Sequence, residues 1–514
     1  MTARVTTLKG PNAGVYYTEQ LPSYYLDAGE PRGVWFGDAA MSLGLHGDVD
    51  DAAFVRVIGG LDPTGSFVLG RRHGDESVRA FDVTFSAPKS VSVLWGLADE
   101  ATRAEVLAAH DAAVAAAMGW IERHATTRLR VDGSVCVVDA EGITAALFRQ
   151  HTSRSGDPQL HTHAVVANRV LAPDGRFLAL DARYLKFDQR TVSAVYHAGL
   201  EAELNQRLGV VWDTPVHGIS ELSHVPAGLR AEFSLRSLDI EERLKVKLAR
   251  FSESLGREPT PRERWRLERE AVVDSRPSKP DAKPGRLARE EWAAISRSAG
   301  VKPAELVREV LGQQQAPQHM LDARIVAERA LVALGDKQST WRPAELLREL
   351  AANLDSDVAM PATELVGQLE TLTDAITRDL LVDLSPPVVE GVVLRRDGRP
   401  ITESVIARVL TTPAILTEEH HIAAWAQQRL AQPASSKPVL LAPVLTELDH
   451  AQLELAAAVA GEASLVLAVG PAGTGKTTAL RPAVAQLRYE GRTVYGVAPS
   501  AAAAQVLASE TGLR

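Results

Sequence analysis

Hydrophobic and polar positions in the first 215 residues follow two different patterns. Short runs rich in apolar and β-branched side chains predict β-strands, and these runs cover residues 4–8, 80–85, 91–95, 143–150 and 162–170. Residues 101–124 instead place apolar side chains three and four positions apart, which predicts an amphipathic helix. The mixture of the two patterns predicts an α+β domain.

The pattern changes twice beyond this region. From about residue 221 the chain is helical and highly charged, and Thr260-Pro261-Arg262-Glu263 has the form of a capping box that begins a helix. Residues 275–286, rich in proline and lysine, predict a linker or an ordered excursion. We therefore predict a first domain over residues 1–300, a mainly helical region over 301–430, and a C-terminal part over 431–514. The order of strand, glycine loop, helix and strand in that last part predicts an α/β fold.

Composition excludes several classes of protein. Hydrophobic residues make up 45% and charged residues 24% of the chain, and no long apolar run predicts a membrane span. The N-terminus lacks the apolar core of a secretion signal, and one cysteine, Cys136, cannot form an internal disulfide, so we expect a cytoplasmic protein. The net charge of −9 does not indicate a nucleic-acid partner, although Arg71-Arg72-His73 forms a local cationic cluster that could contact phosphates.

Three histidines flank a predicted hairpin turn at residues 155–158. On a strand, His161 and His163 share one face, and folding about Gly156 is expected to bring His151 opposite or diagonal to them. Three neutral imidazoles gain little from packing together, whereas a divalent ion is a natural shared partner. The pattern therefore predicts a metal site with open coordination positions, which by itself would suit a zinc hydrolase equally well.

Half of the eight tyrosines lie within ten consecutive positions, as the pairs Tyr16-Tyr17 and Tyr24-Tyr25. They could be packing aromatics. A phenol with its ordinary pKa of about 10 is a poor nucleophile, and it needs a nearby base or cation to react. Beside a metal-bound phosphate, a tyrosine could attack phosphorus, form a phosphotyrosine ester and free a 3′ hydroxyl. A second tyrosine would permit a second cleavage before the first ester is resolved.

A phosphate-binding loop follows an apolar run at residues 465–469, which predicts a buried strand. The sequence Gly470-Pro471-Ala472-Gly473-Thr474-Gly475-Lys476-Thr477 matches the G-x-x-x-x-G-K-[ST] pattern ahead of a predicted helix. The loop amides, including those of Gly470, Gly473 and Gly475, wrap phosphates in such loops, while Lys476 reaches the β and γ phosphates and Thr477 holds magnesium. The sequence therefore predicts ATP and Mg²⁺ binding by the parent protein.

The tyrosine pairs, Phe81-Asp82-Val83-Thr84-Phe85-Ser86-Ala87-Pro88-Lys89-Ser90 and the histidine hairpin together resemble the MobF class of conjugative relaxases, the TrwC/TraI type of the HUH endonucleases. The resemblance covers about residues 1–300 and implies an antiparallel sheet palm with a helical clamp, for which the charged helices between about 221 and 306 are candidates. It implies that Tyr16 initiates cleavage, Tyr24 performs the second strand transfer, and Tyr17 and Tyr25 support them. It further implies that His151, His161 and His163 bind the metal and that Asp82 orients an imidazole or accepts a proton.

The C-terminal loop resembles the helicase fused to these relaxases, and Gln452 resembles the glutamine that reads adenine in superfamily 1 helicases. Because the chain ends at Arg514, before any acidic magnesium-binding strand, we expect a truncated RecA-like domain in an engineered fragment or partial reading frame, with hydrolysis absent.

The resemblance implies nicking and strand transfer at a plasmid origin of transfer, oriT, with Mg²⁺ or Mn²⁺, or alternatively Zn²⁺, as the ion. It implies two partners: single-stranded oriT DNA with its adjacent hairpin, and the coupling protein of a conjugative secretion system, with transfer of the parent protein into the recipient cell. Three alternatives stay open from the sequence: a rolling-circle initiator or transposase with the same chemistry, a metal-dependent hydrolase with structural tyrosines, and a DNA-binding remnant of a mobile element.

Overall fold

The computed structural model describes residues 3–10, 32–131, 133–153, 155–216, 218–275, 285–312, 320–432, 448–471, 473–498 and 501–513. The chain forms two compact units, Met1–Thr412 and Pro413–Arg514.

The first unit is built on an antiparallel sheet. Within the described residues its strands are β1 (Ala3–Lys9), β2 (Val34–Phe36), β3 (Val78–Ser86), β6 (Gly142–Thr152), β7 (Pro158–Leu171) and β8 (Phe177–Leu178). They pair in the order β1-β3-β7-β6-β2, with β8 added to β7. Two short ribbons lie outside this sheet: β4 (Thr126–Val131) with β5 (Ser134–Asp139), and β9 (Val382–Asp383) with β10 (Leu410–Thr411). The central strand β7 is therefore paired on both edges.

The helices of the first unit follow the strands along the chain. They are α1 (Asp38–Ser42), α2 (Asp51–Ile58), α3 (Lys89–Leu97), α4 (Glu100–Arg123), α5 (Arg183–Phe187), α6 (Gln189–Leu208), α7 (Ala227–Glu232), α8 (Leu235–Leu255), α9 (Pro261–Asp274), α10 (Gly285–Ser298), α11 (Pro303–Leu311), α12 (Ala323–Gly335), α13 (Pro343–Ala352) and α14 (Ala362–Asp379).

Different helices pack on the two faces of the sheet. On one face, the fully buried His110 of α4 bonds to the hydroxyl of Thr162 on β7, and Arg149 on β6 pairs with Asp111 of α4. We call this the helix face. On the other face, Phe148 packs edge-on against Phe54 of α2, with ring centroids 5.2 Å apart. The helices thus bury apolar surface on both sides of the sheet.

Most of the predicted elements of this unit are confirmed. The runs at 4–8, 80–85, 143–150 and 162–170 lie in β1, β3, β6 and β7, and the helix predicted at 101–124 is α4. The Thr260 capping box is also present, because Glu263 accepts hydrogen bonds from both the amide and the hydroxyl of Thr260.

The strand predicted at 91–95 is wrong, since these residues lie in α3. Every side chain from Ser90 to Leu97 is buried, so the helix has no polar stripe that would reveal its period.

The predicted boundary near residue 300 does not separate compact units. α13 and α14 both pack on α6, and α14 also packs on α4. The buried Asn205 amide of α6 donates to the carbonyl oxygens of Ser356 and Val358, which ties the segment between α13 and α14 to the first unit. Among the described residues, no helix is long and apolar enough to cross a membrane.

The second unit holds α15 (Pro413–Leu430), α16 (His450–Ala460), α17 (Lys476–Tyr489) and α18 (Ala501–Thr511). α16 and α17 pack through Ala456, Ala460 and Ala483. The strand predicted at 465–469 is wrong: the described residues of this unit contain no β-ladder, and Val469 is fully exposed. A strand needs a neighbour to satisfy its backbone groups, and the described segments offer none.

Candidate metal centre and phosphate loop

Strand pairing decides which side chains surround the histidines. β7 lies between β3 and β6, and His161 is opposite Ser86 on one side and Gln150 on the other. His163 is likewise opposite Thr84 and Phe148. Directly opposed residues share a face, so these side chains lie together on the face away from α4, which we call the histidine face.

Hydrogen bonds orient both imidazoles. Nδ1 of His163 lies 2.9 Å from Oδ2 of Asp82 and 3.2 Å from the Thr84 hydroxyl. Nδ1 of His161 lies 2.8 Å from the backbone oxygen of Gln159. A ring nitrogen beside such acceptors carries the proton, which leaves Nε2 of each ring with its lone pair for a metal.

The electrostatic environment keeps His161 neutral. Burial, together with the neighbouring His163, lowers the pKa of His161 to about 3. The two rings meet edge to face, with centroids 5.2 Å apart. Neutral imidazoles with their Nδ1 atoms engaged are the form in which histidine binds divalent ions.

The predicted position of His151 is wrong. Alternation along β6 places it on the same side as Arg149, the helix face, and its ring stacks on Trp95 of α3 with centroids 4.6 Å apart. Among the described residues, no group of three His, Cys, Asp or Glu side chains is placed to hold a metal ion. Three converging imidazoles are therefore not observed.

Gln150 occupies the position that sequence reasoning gave to His151. Its side chain is 4% exposed and lies opposite His161. Counting along the ladder from His161 could have identified it, but the β6–β7 pairing shifts register between Gln150 and Thr152, which the sequence does not reveal.

Lys89 is a second residue that the sequence left without a role. Its Nζ donates to the carbonyl oxygen of Pro158, the first residue of β7, over 3.0 Å. Burial lowers the pKa of Lys89 to about 8. The contact fixes the start of the strand that carries both histidines.

The four tyrosines of the predicted nucleophile pairs, Tyr16, Tyr17, Tyr24 and Tyr25, lie outside the described residues. Asp82 lies where the resemblance implies, beside His163, so its carboxylate is placed to orient that ring.

The phosphate loop has the backbone features that its sequence predicts. Gly473 and Gly475 adopt positive φ angles of 82° and 72°, and α17 begins at Lys476. Lys476 Nζ donates to the carbonyl oxygen of Pro471 over 2.7 Å. Gln452 caps α16 with Asp449 and donates to the Thr474 carbonyl oxygen over 3.2 Å, which places it against the loop.

Comparisons with known protein families give two matches. The TrwC relaxase family matches residues 11–299, and an AAA domain family matches residues 447–514. The second range contains the phosphate loop.

Two curated relatives share the first region. The multifunctional conjugation protein TraI of Escherichia coli is 34% identical over 244 residues, which are 45% of this chain and 13% of that protein. TraI of Escherichia coli strain K12 is 35% identical over 243 residues, with the same shares. The chain thus spans only 13% of the length of these relatives.

A solved structure is also similar. The copper-bound conjugative relaxase TrwC in complex with oriT DNA has 30% sequence identity and a TM-score of 0.50, over 59% of this chain and 99% of that one. A metal-bound TrwC complex with oriT DNA gives a TM-score of 0.49 at 30% identity, with the same coverage.

Proposed function

The chain belongs to the TrwC relaxase family, and on that basis we propose that it nicks one DNA strand at an origin of transfer and transfers that strand through a 5′-phosphotyrosine intermediate. The observation that carries the proposal is the pairing of Asp82 with His163 beside His161, two imidazoles on one sheet face whose Nδ1 atoms both lie against oxygen atoms. This arrangement gives a phosphodiester cleavage site its electrostatic component.

We propose Tyr16 as the initiating nucleophile. Its phenolic oxygen forms a bond to phosphorus as the bond from phosphorus to the 3′ oxygen breaks, while the phenolic proton passes to water and the 3′ oxygen takes up a proton. The ester retains the phosphodiester linkage, so the reverse attack by a 3′ hydroxyl rejoins DNA without ATP. Tyr24 would carry the second transfer, with Tyr17 and Tyr25 as neighbours.

The residues of the histidine face fit a divalent ion. His161 and His163 would hold it through Nε2, and Asp82 keeps the His163 ring in the orientation that this requires. A divalent ion bound there supplies positive charge for the phosphate oxygens in the transition state. Mg²⁺ or Mn²⁺ is the proposed physiological ion, with Zn²⁺ as the alternative.

The partners and a second activity are also proposals. We propose single-stranded oriT DNA with its adjacent hairpin as the substrate and a conjugative coupling protein as the partner. The match to an AAA domain at 447–514 and the phosphate loop support the proposal that the protein binds ATP and Mg²⁺ as part of a helicase activity.

The test uses the full chain, Mn²⁺ and labelled single-stranded oligonucleotides tiled across the replicon that encodes it. We expect one oligonucleotide to give a protein–DNA adduct that survives denaturation, and Tyr16→Phe to abolish the first adduct while retaining DNA binding. Tyr489→Phe, at an exposed position in the second unit, is the control.

Each outcome separates the candidate functions. Cleavage without a covalent adduct would support a metal-dependent hydrolase, and binding without cleavage would support a DNA-binding remnant. A full adduct yield in Tyr16→Phe would assign initiation to another tyrosine. An adduct at a replication origin instead of oriT would favour a rolling-circle initiator.

A further inference from the structure

We infer that Gln150 is the third protein ligand of the metal, through its side-chain amide oxygen, and that His151 takes no part in metal binding. The inference rests on the proposed metal-dependent function. It replaces the three-imidazole site that the sequence predicts with a centre of two imidazoles and one amide.

The position of Gln150 is set by the β6–β7 ladder. Gln150 is directly opposite His161, the nearest cross-strand position, where Cβ atoms lie about 4.5 to 5.5 Å apart. His163 follows His161 by two residues on the same face of β7. The three side chains therefore lie on adjacent positions of one surface.

The burial of Gln150 removes a polar atom of its side chain from solvent. The side chain is 4% exposed, and its Nε2 atom is buried without a hydrogen-bond partner in the part of the chain that the structure describes. A buried polar group left without a partner destabilises the folded state. Rotating the amide by half a turn exchanges nitrogen and oxygen without moving the rest of the side chain. An ion bound by that oxygen would offset the cost.

His151 faces the other way. It lies two residues after Arg149, which pairs with Asp111 of α4, so the sheet itself separates the His151 ring from His161 and His163. The ring stacks on Trp95, whose indole contacts Trp292 of α10 at a centroid distance of 5.9 Å. Trp292 Nε1 donates to the Gly156 carbonyl oxygen over 2.9 Å. His151 thus belongs to an aromatic stack that joins α10 to the hairpin.

The donor set predicts which ions bind well. Imidazole nitrogen suits Ni²⁺, Cu²⁺ and Zn²⁺, whereas carbonyl oxygen and water suit Mg²⁺ and Mn²⁺. Replacing one imidazole by an amide oxygen therefore shifts the preference of the site toward the harder ions. Gln150→His should reverse this shift.

The experiment is calorimetric titration of the full chain, without DNA, with Mn²⁺ and separately with Ni²⁺. We expect Gln150→Ala to weaken Mn²⁺ binding by about tenfold or more and His151→Ala to leave it unchanged. Gln150→His should tighten Ni²⁺ binding by about tenfold and raise the ratio of Ni²⁺ to Mn²⁺ affinity. His161→Ala serves as the reference for a lost ligand, and thermal melts verify that each variant is folded.

Two results would overturn the inference: unchanged Mn²⁺ affinity in Gln150→Ala, or a loss in His151→Ala equal to that in His161→Ala. If Gln150→His does not fold, the Mn²⁺ affinities of Gln150→Ala and His151→Ala still test the assignment of Gln150. An adduct assay on the same samples separates this inference from the proposed function. The expected binding pattern without any DNA adduct contradicts only the nicking activity, while adduct formation with the opposite binding pattern contradicts only the assignment of Gln150.

Discussion

The carboxylate of Asp82 on β3 lies 2.9 Å from Nδ1 of His163 on the neighbouring strand β7. We predict that Asp82→Ala lowers Mn²⁺ affinity by about 10- to 100-fold, because the imidazole loses the partner that fixes its orientation and tautomer. Calorimetric titration measures the change. Asp174→Ala, which removes an acid paired with Arg176 in the β7–β8 turn, is the matched control. Equal affinities in the two variants would contradict the orienting role.

His110 joins α4 to the sheet. Its two ring nitrogens lie 2.8 Å from the Tyr196 hydroxyl and 2.8 Å from the Thr162 hydroxyl, and all three residues are buried. We predict that His110→Ala lowers the free energy of unfolding by about 3 kcal/mol, because it opens a cavity and strands two buried hydroxyls. Urea titration followed by tryptophan fluorescence measures the loss. A similar loss in the exposed control His46→Ala would assign it to something other than this contact.

Glu201 of α6 makes the stability of the first unit depend on pH. Burial raises its pKa from 4.5 to about 7. Below pH 4.5 the carboxyl is protonated in both the folded and unfolded states, so Glu201→Gln should change stability little. As the pH rises toward 7, the unfolded carboxyl ionises first and the folded state loses stability. Above that pH, Glu201→Gln should be more stable than the wild type by up to about 3 kcal/mol.

Thermal melts of the wild type and Glu201→Gln across pH 4 to 8 test this prediction, and the readout is the difference between them at each pH. That difference cancels the titration of the other groups, including the nearby His197, which lines the same cavity. A difference that stays constant over the whole range would contradict a raised pKa.

Gly475 is predicted to be indispensable to the phosphate loop. It has a φ of 72°, and a Cβ atom there would lie 2.3 Å from Nε2 of Gln452. We expect the wild-type protein to bind a fluorescent ATP analogue and Gly475→Ala to abolish that binding. Gly491→Ala is the control, because it has a similar φ of 76° but open space around the added atom. Equal binding by both variants would show that the close approach is not needed.

The sequence predicts the sheet well because its strands carry clear local signals. Thr162 illustrates this: alternation alone places it opposite to His161 and His163, and its hydroxyl indeed contacts α4. α3 is missed since an entirely buried helix has no polar face. The prediction of a strand at 465–469 is wrong because a strand depends on neighbours that an apolar run cannot specify.

The sequence predicts the candidate site only in part, because one of the three predicted ligands depends on the strand register across the hairpin turn. His161 and His163 follow from a spacing of two within one strand, whereas the place of His151 depends on the register across a turn. A change of one residue in that register moves a side chain to the other face. The pair of adjacent residues Gln150 and His151 makes the site sensitive to this change, and only the observed ladder distinguishes them.

That ladder also has an evolutionary consequence. Glutamine and histidine codons share their first two bases, so a single nucleotide change at position 150 would give the histidine face a third imidazole. His151 could keep its stack on Trp95 throughout, because it serves the opposite side of the sheet. With Gln150 as the proposed third ligand, one point mutation would therefore change the metal preference of the site and leave the aromatic stack that holds the hairpin in place.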